Sequence, residues 1–486
     1  MDRPRYSVDE EREYLARGYW RDDDTLWHWL SRHAAERPQA PAVVGAGRTL
    51  TWRELHDETL RVANALRANG IGPGEVVAVQ LPNTLEFVLV HLAVARLGAV
   101  FCTVHMPYRG AEIDTILAHS GAKLFLTAAY PFAELATPEP LPATHPAPDA
   151  RDPFVLLYTS GTTASPKGVP HPYRTLLGNS RLGAREHRLS ADSRILCAAP
   201  LSHLYGLYSL HCAWSVGACT ILLPAFKPDE LAQMVERERP TAIWTAPAHV
   251  AACRNAGLFE KHDWSSLKLA IVSGSIPPPL LVRELAAQLP GCRIAQLWGM
   301  TELQAGLYTR PDDSVEVAAT SAGRPSPGTE VRLAEDGELQ VRGPLAFSAY
   351  YQNEEATRAA FTADGWFRTG DLAARRGENY AITGRSKDII NRGGVKFNPA
   401  DVEALLDGHP QIAQSAIVPM PDPVLGEKAC AFVTLKPGAA EPSLGELCEY
   451  LLAKEIAKNK LPERLVVIAE MPLTPTRKII KSKLRP

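Results

Sequence analysis

YTSGTTASPKGVPH, residues 158–171, decides how this chain is read. Five Ser/Thr hydroxyls, two glycines and one lysine stand between apolar runs. Ser160, Thr162, Thr163 and Ser165 offer donors, Gly161 exposes backbone N–H groups, and Lys167 supplies a cation, which together suit a phosphate. The plainer reading is a polar surface turn, since Ser/Thr/Gly runs are also ordinary loops. A Walker A loop does not fit. Counted from Gly161, its second glycine falls on Pro166 and its Ser/Thr after the lysine falls on Gly168. No G-x-G-x-x-G follows a strand and no G-x-S-x-G occurs, so dinucleotide-binding and nucleophile-elbow readings lack support.

Outward from this loop, helical and strand patterns alternate. TWRELHDETLRVANALRANG (51–70) has apolar residues at helical spacing and stops at Gly70. Strands are expected at EVVAVQL (75–81), AVFCTV (99–104), KLFLT (123–127), FVLLYTS (154–160), CTILLP (219–224), AIWTAP (242–247) and KLAIVSG (268–274). Such alternation predicts a layered α/β architecture with parallel sheets. ATPEPLPATHPAPDARDP (136–153) contains six prolines and reads as a linker or long loop. After GRSKDIINRGG (384–394) the last hundred or so residues form a smaller α+β pattern: helix PADVEALLDGH, strands AQSAIVP and KACAFVTL, helix SLGELCEYLLAKEIA.

The bulk numbers fit a soluble globular protein of several folding units. The chain has 486 residues, 45% hydrophobic and 22% charged, with a net charge of −2 that gives no basic field for nucleic acid or anionic lipid. The longest apolar run, 87–104, is broken by His91, Arg96 and Gly98 and reads as helix then strand, not a membrane span. The first twenty residues lack the apolar core of a secretory signal, and eight scattered cysteines without a C-x-x-C pair fit reduced core thiols; a cytoplasmic location is expected. His203, His211, Cys212 and Cys219 match no metal-site spacing and are expected in the core or a pocket.

The loop also resembles the signature of the adenylate-forming superfamily, which includes acyl-CoA synthetases, luciferases and peptide-synthetase adenylation domains. Further stretches resemble family motifs in the family's order: APLSH (199–203), QLWGMTE (296–302), GWFRTGDL (365–372), GRSKDIINRGG (384–394) and PLTPTRKIIKSKLR (472–485). The resemblance implies a large multi-subdomain N-terminal domain over 1–384, a hinge at 385–387 with Lys387 as its pivot, and a small mobile C-terminal domain over 388–486. It also implies ATP, Mg²⁺ and coenzyme A as participants.

Residue by residue, the resemblance implies that Thr159, Ser160, Gly161, Thr162, Thr163 and Lys167 close over ATP phosphates. Thr163 and Glu302 would be Mg²⁺ partners and Thr301 would meet the α-phosphate. Ser273, Gly274 and Ser275 would run along the adenine, with Leu297, Trp298, Gly299 and Met300; Trp298 stands where tyrosine is more usual. Asp371 would hold the ribose, with Arg385 nearby. Lys478 would bridge the substrate carboxylate and α-phosphate, and His203 would stand beside that carboxylate. Arg392, Gly393 and Gly394 would line a pantetheine tunnel after the small domain swings.

Amino-acid-activating relatives carry an aspartate where this chain has PLSHLYGLY (200–208), so a free α-amino acid is not expected. Leu204, Tyr205, Leu207 and Trp214 suggest an apolar acyl pocket, and YLARGYW (14–20) is similar to a segment of aryl- and alicyclic-acid ligases. The expected reaction is ligation of a hydrophobic, cyclic or aryl carboxylic acid to coenzyme A through an acyl-adenylate. A free-standing carrier protein is the second acceptor, because no carrier pattern follows the Lys478 segment. The expected assembly is a monomer or homodimer. Two departures stand out: Ala164 and Arg477 occupy positions where the family usually has glycine. They raise an alternative in which adenylation is impaired and the protein mainly thioesterifies a supplied acyl-adenylate. A non-catalytic adenylate-binding protein is the alternative from another class.

Overall fold

The computed structural model describes residues 6–135, 137–159, 167–474 and 478–486. Four sheets form among them. The first has the order Leu124–Thr127, Val76–Gln80, Val100–Thr103, Pro153–Thr159, Lys167–Pro172, the first four parallel and the last antiparallel. A nine-stranded sheet carries the parallel run Arg293–Met300, Leu269–Val272, Ala242–Thr245, Arg194–Cys197, Cys219–Leu222 at its centre. The expected strands are therefore present, with ends shifted by a residue or two.

Side-chain alternation explains why these strands read as unbroken apolar runs. Ala242 and Trp244 enter one core while Ile243 enters another; Leu269 and Ile271 join the first, Ala270 and Val272 the second. Both faces of a parallel sheet are covered, so neither set of alternate positions is polar. Helices Trp52–Ala68, Leu85–Arg96, Tyr173–Glu186 and Leu204–Ser215 fill the space between the first two sheets. On the far face lie Pro228–Glu238, Pro247–Asn255 and Pro279–Gln288. The helix at Trp52 starts on a capping box: Thr51 accepts from the Glu54 N–H, and Glu54 accepts from the Thr51 N–H.

A four-stranded antiparallel sheet follows, Glu330–Leu333, Glu338–Arg342, Phe367–Arg376, Asn379–Arg385. Sequence alternation suggests parallel sheets through most of the first 380 residues. This part departs from it because only one face of the sheet is covered, as the alternating burial from Phe367 to Ala373 shows. The residues after it build a sheet of their own around Ile412–Asp422 and Gly426–Leu435, with helices Pro399–Leu406 and Leu444–Ala453. Its apolar cluster of Ile390, Val402, Leu406, Ile417, Ala431 and Leu447 is separate from those before it.

Among its described residues the proline-rich stretch has no regular element between Leu135 and Pro153, although Leu141 is buried. Within YLARGYW, Tyr14 and Trp20 meet edge-on at 5.0 Å, and Arg174 lies 3.9 Å over the Trp20 ring, so this segment straps the helix Tyr173–Glu186. His211 Nε2 meets His91 Nε2 at 2.9 Å in the core, and the Cys212 thiol donates to the Ser180 carbonyl. Among the described residues no helix is long and apolar enough to cross a membrane.

Candidate active site

The carboxyl ends of the parallel strands deliver the loops that matter, the usual position of a site in open α/β sheets. Pro153–Thr159 ends at the phosphate-type loop, and Thr159 pairs in register with Lys167 on its return. Ser160, Gly161, Thr162 and Thr163 lie outside the described residues, as do Ala164, Pro166 and the Pro475–Arg477 segment. Lys167 itself lies 4.7 Å over the Tyr350 ring.

Beyond the strand Arg194–Cys197, His203 caps the helix Leu204–Ser215. Its Nδ1 accepts the Tyr205 N–H at 3.2 Å, which puts the ring proton on Nε2 and makes that nitrogen a donor. Burial first, then the nearby His105 and Lys478, push the His203 pKa well below its ordinary value, so the ring stays neutral. The preceding turn is pinned by Thr103 Oγ1 donating to the Ser202 carbonyl (2.7 Å) and by His105 Nδ1 against Ser202 Oγ (3.0 Å). Tyr205 donates between two strand ends, to the carbonyls of Thr245 (3.1 Å) and Ile271 (2.9 Å).

Ser273 donates its N–H to Thr245 O at 3.0 Å, and Gly274 follows at φ +95°, a conformation that favours glycine. Ser275 is exposed. Next comes the hairpin from Arg293–Met300 to Gln304–Tyr308, whose turn holds Thr301 and Glu302. A Cβ on Gly299 would fall 1.8 Å from the Gln304 carbonyl oxygen, so only glycine permits this turn. Leu297 is buried beneath it, and Met300 is half-buried.

Supports for the turn arrive from four directions. His171 Nε2–H donates to Thr301 O at 2.7 Å, and the Phe347 N–H donates to Glu302 O at 2.8 Å. Asn179 donates to Ala305 O at 3.0 Å, and the Tyr350 hydroxyl donates to Glu302 Oε1 at 2.8 Å. Glu302 is 6% exposed. Burial raises its pKa, opposed by the Tyr350 donor and by the charges of Lys167 and Arg385. One oxygen of this desolvated carboxylate is engaged by Tyr350. The other is a hard oxygen of the kind Mg²⁺ takes, in a place where a cation would lower the cost of burying charge; Thr163, the second implied ligand, lies outside the described residues. Asn179 and Tyr350 escape sequence reading because each lies outside any stretch with a recognisable pattern of its own, and His171, although it ends the opening stretch, carries no sign there of its distant partner; only their contacts disclose them.

Asp371, 5% exposed, stands cross-strand from Arg385. Arg385 Nε pairs with its Oδ1 at 2.9 Å, and the Trp298 indole N–H donates to its Oδ2 at 2.8 Å. From the small C-terminal unit, Lys478 reaches the same region. A short bridge holds its segment: Leu473 pairs with Ile479, Thr474 N–H donates to Lys478 O, and Lys478 N–H donates to Thr474 Oγ1. Its ammonium pKa is lowered to about 8, by burial first and then Arg385, with Asp371 and Glu302 pulling the other way. Lys478, Asp371, Glu302, Arg385 and His203 are thus near enough to bias one another's charge. Lys387 sits in the turn Ser386–Asp388 right after Arg385, its pKa lowered by burial and then by Arg385.

Arg392, Gly393 and Gly394 are not drawn into this cluster. Arg392 pairs with Glu463 at 2.6 Å, and both glycines are exposed at positive φ on the edge of the small sheet.

The profile of the AMP-binding enzyme family matches residues 30–351, and that of the AMP-binding enzyme C-terminal domain matches 401–478. The chain is 32% identical to the salicylyl-CoA synthase / salicylate adenylyltransferase of Streptomyces sp, over 99% of this chain and 96% of that protein. It is also 32% identical to the indoleacetate–CoA ligase of Aromatoleum aromaticum, over 95% and 97% of the two chains. In fold it is similar to an anthranilate CoA ligase solved with anthranoyl-AMP, with a TM-score of 0.88 and 26% identity over 96% of each chain. The chain therefore belongs to the AMP-binding, or adenylate-forming, enzyme family.

Proposed function

We propose that the protein joins a hydrophobic carboxylic acid, ring-bearing or bulky, to coenzyme A by way of an acyl-adenylate. The observation that carries this reading is the buried Lys478 ammonium, which lies within electrostatic reach of Asp371, Glu302, Arg385 and His203. Two anions, the acid's carboxylate and the ATP α-phosphate, must approach each other, and their repulsion is the main barrier the protein can lower. His203 Nε2–H would hold one carboxylate oxygen. Lys478 would sit between that carboxylate and the phosphate, so that the carboxylate oxygen bonds to phosphorus as pyrophosphate departs, with no proton transfer needed. Thr301 would meet the phosphate, Lys167 and the hydroxyls of Ser160, Thr162 and Thr163 the leaving pyrophosphate, and Asp371 the ribose. Glu302 and Thr163 would hold Mg²⁺, which supplies charge neutralisation at the phosphates.

For the second half-reaction the small unit would pivot at Lys387 and bring Arg392, Gly393 and Gly394 to the site for the pantetheine thiol. Support for the acid class comes from relatives named for salicylate, indoleacetate and anthranilate. The presence of Lys478 at the site favours a complete ligase over one confined to thioesterification.

The deciding experiment is mass spectrometry for acyl-CoA in paired reactions. One set receives a panel of aryl, alicyclic and fatty acids with ATP, Mg²⁺ and coenzyme A; the other receives the matching acyl-adenylates with coenzyme A alone. Acyl-CoA in both sets is expected. Product from the adenylates alone would move the protein to the thioesterifying alternative, and product in neither would remove coenzyme A as acceptor.

A further inference from the structure

The Asp371 carboxylate is approached from two sides by the protein itself. Trp298 donates to Oδ2 at 2.8 Å and Arg385 pairs with Oδ1 at 2.9 Å. Little freedom remains in the first contact. The Trp298 ring is 9% exposed, and its Cζ3 edge lies 2.6 Å from where a Cβ on Gly306 would stand, so the absence of a side chain there lets the indole seat. Around it lie Leu303, Leu307, Leu339 and Phe347 of a continuous apolar core. Asp371 is held at its backbone as well, its N–H donating to Thr369 Oγ1 at 3.1 Å.

An ionised carboxylate has about four lone-pair sites, two on each oxygen. One on each oxygen is already engaged. One on each remains, the complement of a pair of vicinal hydroxyls. We propose that Trp298 is a positioning residue for ribose recognition: its indole N–H fixes the Asp371 carboxylate so that the remaining lone pairs meet the 2′- and 3′-hydroxyls together. This rests on the reading of Asp371 as the ribose ligand. Phenylalanine at 298 would keep an aromatic ring in the core and a face for the base, yet leave Oδ2 untethered. The N–H and the ring are therefore separable by experiment.

Calorimetric titration of the full-length protein, without the acid, compares ATP with 2′,3′-dideoxy-ATP in wild type and in Trp298→Phe. Wild type is expected to prefer ATP by about tenfold or more, the scale of a hydrogen bond to a charged group. The variant is expected to lose most of that preference, read as the ratio of the two affinities, since the smaller ring also alters the face offered to the base in both nucleotides. An unchanged preference in Trp298→Phe overturns the positioning role and leaves Asp371 as ribose ligand. Equal binding of both nucleotides by wild type overturns the ribose reading, and the proposal with it. Should the variant not fold, wild type labelled with ¹⁵N at its nine tryptophans gives the answer directly. One indole N–H resonance should shift differently with AMP than with 2′,3′-dideoxy-AMP; if every indole responds alike to both, the proposal fails.

Discussion

Lys478 carries the heaviest demand of any single residue. Replacing it with alanine removes the cation proposed to stand between the substrate carboxylate and the α-phosphate. Adenylate formation, read by pyrophosphate exchange, is expected to fall about a hundredfold or more. Conversion of a supplied acyl-adenylate to its thioester should stay within about threefold of wild type, because that step does not draw on this side chain. Protonation gives a second handle. The ammonium form is the useful one, and its pKa in the free protein is lowered to about 8. For ATP, kcat/KM should hold below that value and decline as pH rises through it, since this ratio reports the ionisation of the free enzyme. A flat profile from pH 7 to 9.5 would count against the role. Residues of this kind were legible in the sequence because each sits inside a short ordered pattern. Tyr350, His171 and Asn179 were not, since what they do depends on where distant strands place a carbonyl or a carboxylate. The Trp298 to Asp371 bond spans 73 positions and has no local sign at all.

Among the elements, the hairpin between Arg293–Met300 and Gln304–Tyr308 is the tightest. Gly299→Ala would drive a Cβ to within 1.8 Å of the Gln304 carbonyl oxygen, and backbone on both sides leaves no flexible atom to give way. The variant is expected to fold with a displaced Thr301–Glu302 turn, or not to accumulate. Adenylate formation should drop at least about a hundredfold, whereas Gly291→Ala, on the exposed turn at the far end of the strand Arg293–Met300, should leave it within a few-fold, although its own φ of +84° carries some strain. Elements of this sheet were readable because a parallel strand covered on both faces is a continuous apolar run. The four-stranded antiparallel sheet after Glu330 was not read out in advance. Its strands carry one apolar face each, and EVRL and ELQVR differ little from exposed loop sequence.

At the scale of the whole molecule, buried neutral histidines set the acid limit. His91 and His187 are pushed down to about 3, His105 and His171 to about 4, in each case by burial first. In the unfolded chain these rings take up protons near 6.5. The unfolded state therefore binds more protons as pH falls, and stability present above about 6.5 is lost progressively toward about 4, at up to about 1.4 kcal/mol per histidine per pH unit. Thermal unfolding followed by circular dichroism should show Tm falling steeply below pH 6; a Tm level down to pH 4.5 would contradict this. The pivot invites a separate test. Proline at 387 fixes φ in the turn Ser386–Asp388, so Lys387→Pro should keep pyrophosphate exchange within a few-fold and cut thioester formation about a hundredfold. Equal loss of both would remove the pivot from this position.

Arg385 belongs to two of these scales at once. It ends the strand Asn379–Arg385, opposite Asp371, and the turn bearing Lys387 starts at the next residue. Its ion pair is buried at the carboxylate and half-open to water at the guanidinium. The exposed guanidinium makes this contact weaken with ionic strength, while the carboxylate stays fixed in the protein. Under the proposed reading, the ribose ligand and the turn beside the pivot would then share a single carboxylate.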